Sequence, residues 1–172
     1  MYSRSVHWFR RDLRVADNIA LRDAIDASKE VVPAYIVSDW KRQHLWTGPA
    51  RQEFLCGCLD SLAKNIERLG GRMVFRQGDA APELARLLKE TKAEALYFNR
   101  DPDPFGIAVE ETVTALCGEL GVAVHSCKDL VLHERDEVTK GDGTPYRVYT
   151  PYSRRWLEAP KPAPVRACLL YT

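Results

Sequence analysis

Between residues 5 and 10, apolar Val6, Trp8 and Phe9 interleave with Ser5, His7 and Arg10, the alternation of a β-strand. Asp17 and Asn18 can cap a following helix in which Ile19, Leu21, Ala24 and Ile25 recur at helical spacing. Residues 31 to 37 are β-branched and almost wholly apolar, as in a strand covered on both faces. Residues 38 to 48 read as a polar loop with two tryptophans. Pro49 then opens a long helix with Phe54, Leu55, Leu59, Leu62, Ile66 and Leu69 along one side and Gly70-Gly71 as its stop.

The alternation continues. Residues 72 to 76 predict a third strand, Asp79 caps a helix through Leu84, Leu87 and Leu88, and residues 95 to 99 predict a fourth strand. After the break Asp101-Pro102-Asp103-Pro104-Phe105-Gly106 comes a helix carrying Val109, Val113, Leu116 and Leu120, then Gly121 and a fifth strand over 122 to 126. Residues 133 to 172 carry no long periodic segment; Lys140 to Gly143 is a turn, and prolines 160, 162 and 164 stiffen the tail. Strands alternating with helices predict an α/β fold: a five-stranded parallel, Rossmann-like sheet with helices on both faces. Order 3-2-1-4-5 is the simplest that keeps every crossover right-handed. The chain then reverses between strands one and four, and ligands settle outside the carboxyl ends of strands at such a switch. Phe9 to Arg11, residues 99 to 103 and the end of strand two, 37 to 39, therefore frame the expected site.

Composition narrows the field. A chain of 172 residues, 45% hydrophobic and 28% charged, suits one globular domain. The net charge of +1 leaves any electrostatic partner to a local patch. Five scattered cysteines read as buried free thiols of a reducing compartment; Cys56 and Cys58, two apart on a helix, point to different faces and cannot form half of a zinc site. No apolar run reaches membrane-spanning length and the chain opens on a strand, so a cytoplasmic protein without membrane attachment is expected.

Each cluster of chemistry-bearing residues has a bland and a functional reading. Arg10-Arg11-Asp12-Leu13-Arg14 is a solvated loop with a local ion pair, or a clamp for an anionic or carbonyl-rich ligand. In the strand-four loop the prolines and Gly106 serve the turn, whereas Asp101 is the better ligand candidate. Arg51 opposes the dipole of its helix, which fits a side chain facing a ligand or carboxylate about as well as a plain surface arginine. Residues 144 to 156 hold Tyr146, Tyr149, Tyr152 and Trp156 with Arg147, Arg154 and Arg155; this fits an interdomain seam better than single-stranded nucleic acid. No nucleophile elbow, phosphate-binding loop or histidine cluster is present, so no catalytic or metal residue is assigned and the residues read as a binding module.

The run His7 to Asn18 resembles the opening signature of the DNA photolyase and cryptochrome family. Tyr97 to Gly106 is similar to its fourth strand and loop, and Thr144 to Trp156 to the motif that closes its N-terminal domain. The resemblance implies an antenna-binding α/β domain (1–132) and a closing loop with the start of a linker (133–172). A helical domain holding FAD and damaged DNA would be the partner. The family's activity is light-driven repair of cyclobutane pyrimidine dimers, light from the antenna passing to FAD; this chain alone would not be catalytic. Arg51, Asp101, Asp103, Pro104, Phe105 and Gly106 resemble the 8-hydroxy-deazaflavin-binding members, while an Asn-Glu pair at the last two loop positions would mark folate binders. FMN and methenyltetrahydrofolate are the alternative antennas. Tyr35, Ile36 and Leu55 are the expected walls, Ser38, Arg51 and Asp101 the polar contacts, with Asp103, Gly106, Phe9 and Arg11 completing the site. A cryptochrome photoreceptor fragment and a nucleotide-binding α/β protein are the rival readings; the latter would want a glycine-rich phosphate loop.

Overall fold

The computed structural model describes residues 1–38, 48–134 and 136–164. Along the chain come β1 (Tyr2–Phe9), α1 (Ile19–Ala27), β2 (Ser28–Val37), α2 (Pro49–Arg68), β3 (Val74–Gln77), α3 (Ala80–Thr91), β4 (Ala95–Asn99), α4 (Pro104–Leu120), β5 (Ala123–Cys127) and α5 (Tyr149–Glu158). The strands form one parallel sheet in the expected order, β3-β2-β1-β4-β5. At its centre, Val6 of β1 pairs with Val32 of β2 on one side and Leu96 of β4 on the other.

The period of two sorts side chains into two layers. Val6, Trp8, Ala34, Ile36, Leu96 and Phe98 pack with Leu84, Leu87 and Leu88 of α3 and Val113 and Cys117 of α4. On the opposite face, Phe9 and Tyr35 meet Leu21 of α1 and Leu59, Leu62 and Ile66 of α2. Ala20 and Ala24 lie against Ala95 and Tyr97, small residues that let α1 sit close to the sheet. Burying side chains of this size stabilises the fold by roughly 1.5–3 kcal/mol each.

Helix ends follow from local chemistry. Of the two expected caps of α1, Asn18 is the one that accepts from the Leu21 N–H (3.0 Å); Asp17 precedes it at φ 51°. Asp103 caps α4 by accepting the Gly106 N–H, with Pro104 at the first helical position and Gly121 closing the helix at φ 69°.

Two expectations are corrected. Residues 149 to 158, read from the sequence as loop, form α5. Its proline, Pro151, stands in the first turn, where an N–H has no intrahelical acceptor to lose. None of its residues is buried. Trp156 holds it by meeting His133 edge-on at 5.5 Å, and Lys161 lies 4.6 Å over the Trp156 ring while donating to the carbonyls of Leu157 and Ala159. The thiols are not uniformly buried either: Cys117 is, Cys58 and Cys127 are half-buried, and Cys56 is exposed because it points outward from α2. Among the described residues, no helix is long and apolar enough to cross a membrane, and no three metal-ligating side chains gather. Asp39, the tryptophan-rich segment 40 to 46, Cys168 and the tail 167 to 172 lie outside the described residues.

Candidate functional site

β1 and β4 are sheet neighbours, yet the chain visits β2 and β3 between them, so the loops leaving their carboxyl ends diverge. A ligand crevice is expected there. In this protein it is filled by polar side chains. The buried Asp12 carboxylate accepts from the Arg10 N–H (2.8 Å) and from the side-chain amides of Asn18 (2.9 Å) and Asn99 (2.6 Å). Asn99 also donates to Asn18 Oδ1 (2.8 Å) and accepts from the Ala20 N–H (3.1 Å), tying β4 to α1. His7, fully buried, points the same way: its Nε2 lies 4.0 Å from Asp12 Oδ2, and among the described residues neither ring nitrogen has a hydrogen bond. Burial pushes the His7 pKa down to about 4, against the pull of Asp12, so the imidazole is neutral near pH 7.

Arg10 crosses to α4. Its guanidinium stacks 4.7 Å from the Trp8 centroid and 5.8 Å from that of Phe98, pairs with Glu110, and donates to the Gly106 carbonyl (3.3 Å). Glu110 in turn accepts from the Asp101 N–H (2.7 Å). Arg10, one cation of the expected clamp, is thus engaged within the protein. Arg11 instead bridges two carboxylates on the rim, with Nε 3.0 Å from Asp101 and Nη2 2.5 Å from Asp103. The Gly106 N–H first, and then Arg11, hold the Asp103 carboxyl below its usual range. Asp101 lies so close under Gly106 that a Cβ there would stand 2.6 Å from the Asp101 Cβ and Cγ. What remains between Arg10–Asp12 and Asn99–Asp101 is about 10 Å³, room for one water.

The expected residues therefore separate into groups. Arg11, Asp101, Asp103 and Gly106 come together as one self-satisfied polar cluster. Phe9 and Tyr35 are core side chains, joined at the edge by half-buried Leu55, and burial pushes the Tyr35 phenol up to about 12. Ile36 packs in the other layer, so Tyr35 and Ile36 do not line one wall: neighbouring residues of a strand point to opposite faces. Ser38 is half-buried just past β2, and Arg51 is exposed in the first turn of α2.

Open space lies elsewhere, beside the β1–α1 loop. A groove of about 400 Å³ runs between the β1–α1 loop and α2, lined by Leu13, Phe54, Gly57, Cys58 and Ser61. It is an open groove rather than an enclosed cavity. Arg51, Phe54, Cys58 and Ser61 recur at spacings of three and four, so they share one side of α2, next to its core-facing stripe. Sequence reasoning missed these lining residues because the groove depends on where Leu13 lands; the signal it passed over is a glycine in the middle of a helix.

The comparisons agree with this architecture. The profile of the DNA photolyase family matches residues 5–167. A deoxyribodipyrimidine photo-lyase of Synechococcus sp. strain PCC 6301 is 35% identical over 158 residues, covering 92% of this chain and 33% of that protein. Cryptochrome-1 of Gallus gallus is 33% identical over 139 residues, covering 81% of this chain and 22% of the relative. The crystal structure of a bacterial class III photolyase from Agrobacterium tumefaciens superposes with a TM-score of 0.88 at 33% identity, over 97% of this chain and 34% of that one. The chain spans about a third of the length of the photolyases it matches. The chain belongs to the DNA photolyase family.

Proposed function

We propose that this chain is the light-harvesting domain of a photolyase that repairs cyclobutane pyrimidine dimers, and that it holds a flat antenna chromophore, 8-hydroxy-deazaflavin. The observation that carries the reading is the groove between Leu13 and α2, beside the loop that leaves β1. Leu13 and Phe54 offer apolar walls for a planar ring, while Arg51 and Ser61 on the same side of α2 offer polar ends. Bound there, the antenna supplies absorption of near-UV and blue light; the protein supplies its place and orientation. Ser38, just past β2, and Leu55 of α2 would complete the site. Arg11, Asp101, Asp103 and Gly106 act as the rim that fixes the neighbouring loop. A side chain at 106 would displace Asp101, which disfavours the folate type of contact; FMN and methenyltetrahydrofolate are the competing ligands.

FAD and damaged DNA belong to the partner helical domain, about two-thirds of each matched photolyase lying outside the match. Residues 133 to 172 form the closing segment and the start of the link to it. Exposed Val148, just before α5, and exposed Tyr149 and Leu157 on it supply an apolar surface for that contact. The test is reconstitution of the purified chain with each of the three chromophores. Deazaflavin is expected to bind one to one and to survive removal of free ligand; a folded chain that retains none of the three at high excess refutes the antenna role. The cryptochrome reading is favoured by the 33% identity to an avian cryptochrome. Light-dependent dimer repair by the protein carrying this chain with its flavin domain decides between them: repair supports photolyase, its absence supports photoreceptor.

A further inference from the structure

The N–H groups of Ile19, Ala20 and Leu21 leave the first turn of α1 with no acceptor inside the helix. Each is taken by a side chain from a different part of the chain. Asn18 accepts from Leu21 (3.0 Å), Asn99 at the end of β4 accepts from Ala20 (3.1 Å), and Asp129, just past β5, accepts from Ile19 (3.2 Å). Asn18 and Asn99 are neutral, so Asp129 is the one that brings charge. Its side chain is 2% exposed, and its second oxygen lies 2.6 Å from Arg14 Nη2. In parallel α/β sheets the helix after the first strand is where a ligand's phosphate sits. Free N–H groups and the positive end of the helix dipole face the anion, and a glycine-rich turn lets it approach the backbone. Here a carboxylate of the chain stands in that position. It accepts a helix N–H, faces the dipole and holds a guanidinium.

We propose that Asp129 is a specificity-determining residue: a resident anion that holds the phosphate position of the fold and shuts nucleotides and other phosphate monoesters out of the crevice. The surroundings fit this role. The turn from Arg10 to Asn18 contains no glycine. The space beside Asp129, about 10 Å³, is also lined by Asp12 and Asp101, so a second anion would meet three carboxylates. The arginines that line it are already paired: Arg10 with Glu110, Arg11 with Asp101 and Asp103, and Arg100 with Glu134 at 3.1 Å. The inference stands apart from the antenna reading. A chromophore held elsewhere through its ring is unaffected, whereas FMN is denied this helix for its phosphate.

The experiment uses the whole chain, with inorganic phosphate and AMP as probes, and reads the amide shifts of Ile19 and Ala20 by NMR. Neither probe is expected to move them saturably in the unsubstituted chain. Asp129→Ser removes the charge and opens room while keeping a hydroxyl. In it, phosphate is expected to shift both amides saturably, with an affinity about tenfold above wild type; that factor, about 1.4 kcal/mol, is within what an anion gains at a helix N-terminus. Phosphate should also raise the Tm of the variant more than that of wild type, since its general salting effect is common to both. Adding Arg14→Met removes the counter-cation and is expected to abolish the response. Saturable shifts in the unsubstituted chain, none in folded Asp129→Ser, or an undiminished response after Arg14→Met overturns the inference. If Asp129→Ser is unfolded in chloride, recovery of the fold in phosphate supports the inference and no recovery overturns it.

Discussion

Arg10 on the β1–α1 loop and Glu110 on α4 form an ion pair with side chains only 10% and 14% exposed, across the point where the chain changes direction. Trp8 and Phe98 beneath the guanidinium shield it from water. Removing one partner of such a pair strands the other charge. Glu110→Ala should therefore destabilise the chain by about 3 kcal/mol in urea unfolding, and it also leaves the Asp101 N–H without its acceptor. Arg10→Met with Glu110→Leu should cost less than the sum of the single changes, since both charges are gone. Additive losses would show that the two side chains do not act as a pair.

His7 is neutral in the fold, with a pKa of about 4 against 6.5 in the unfolded chain. Because the folded value is the lower one, its contribution is present above pH 6.5 and is lost as pH falls from 6.5 to 4. The full loss is about 3 kcal/mol at 1.36 kcal/mol per unit. Asp103 works in the same direction in a lower window: held below its usual carboxylate value, it loses its contribution only as pH drops beneath 3.8. Denaturant titrations at successive pH values should show the upper step, and His7→Phe should flatten it while leaving the lower limb. An unchanged upper step in that variant contradicts the assignment.

Gly106→Ala forces a Cβ to within 2.6 Å of Asp101 and should cost about 1–3 kcal/mol through overpacking. Adding Asp101→Gly removes the obstructing carboxylate and should recover part of that loss, although it frees Arg11. A double variant no more stable than Gly106→Ala would place the strain elsewhere.

α5 has no buried residue; its Trp156 meets His133 and its Tyr152 meets Tyr146. Trp156→Ala should release the helix without unfolding the sheet. Amide exchange should rise across 149 to 158 and stay slow in β1 and β4, opening locally rather than globally. Loss of protection in both regions together would mean that α5 belongs to the cooperative core.

Much of the fold was legible in residue pattern. Two-sided apolar strands such as 95 to 99 announce a buried parallel sheet, and 3-2-1-4-5 is the simplest order that keeps its crossovers right-handed. α5 was hidden because a helix that buries nothing has no apolar stripe to show, and Pro151 disguises its start. The polar cluster of Arg11, Asp101, Asp103 and Gly106 was legible as a group, but not that its members satisfy one another. Tyr35 and Ile36 looked like walls because strand tips usually face a site; a strand covered on both sides spends such residues on the core. The groove depends on a loop residue, Leu13, meeting a helix more than forty positions later, which periodicity does not encode.

The most direct measurement of the central claim is a backbone-amide NMR titration of the chain with 8-hydroxy-deazaflavin. Saturable shifts are expected at Leu13, Phe54, Gly57, Cys58 and Ser61, with α5 unmoved. Shifts confined to residues 149 to 158, or none at saturating ligand in a folded chain, would contradict it.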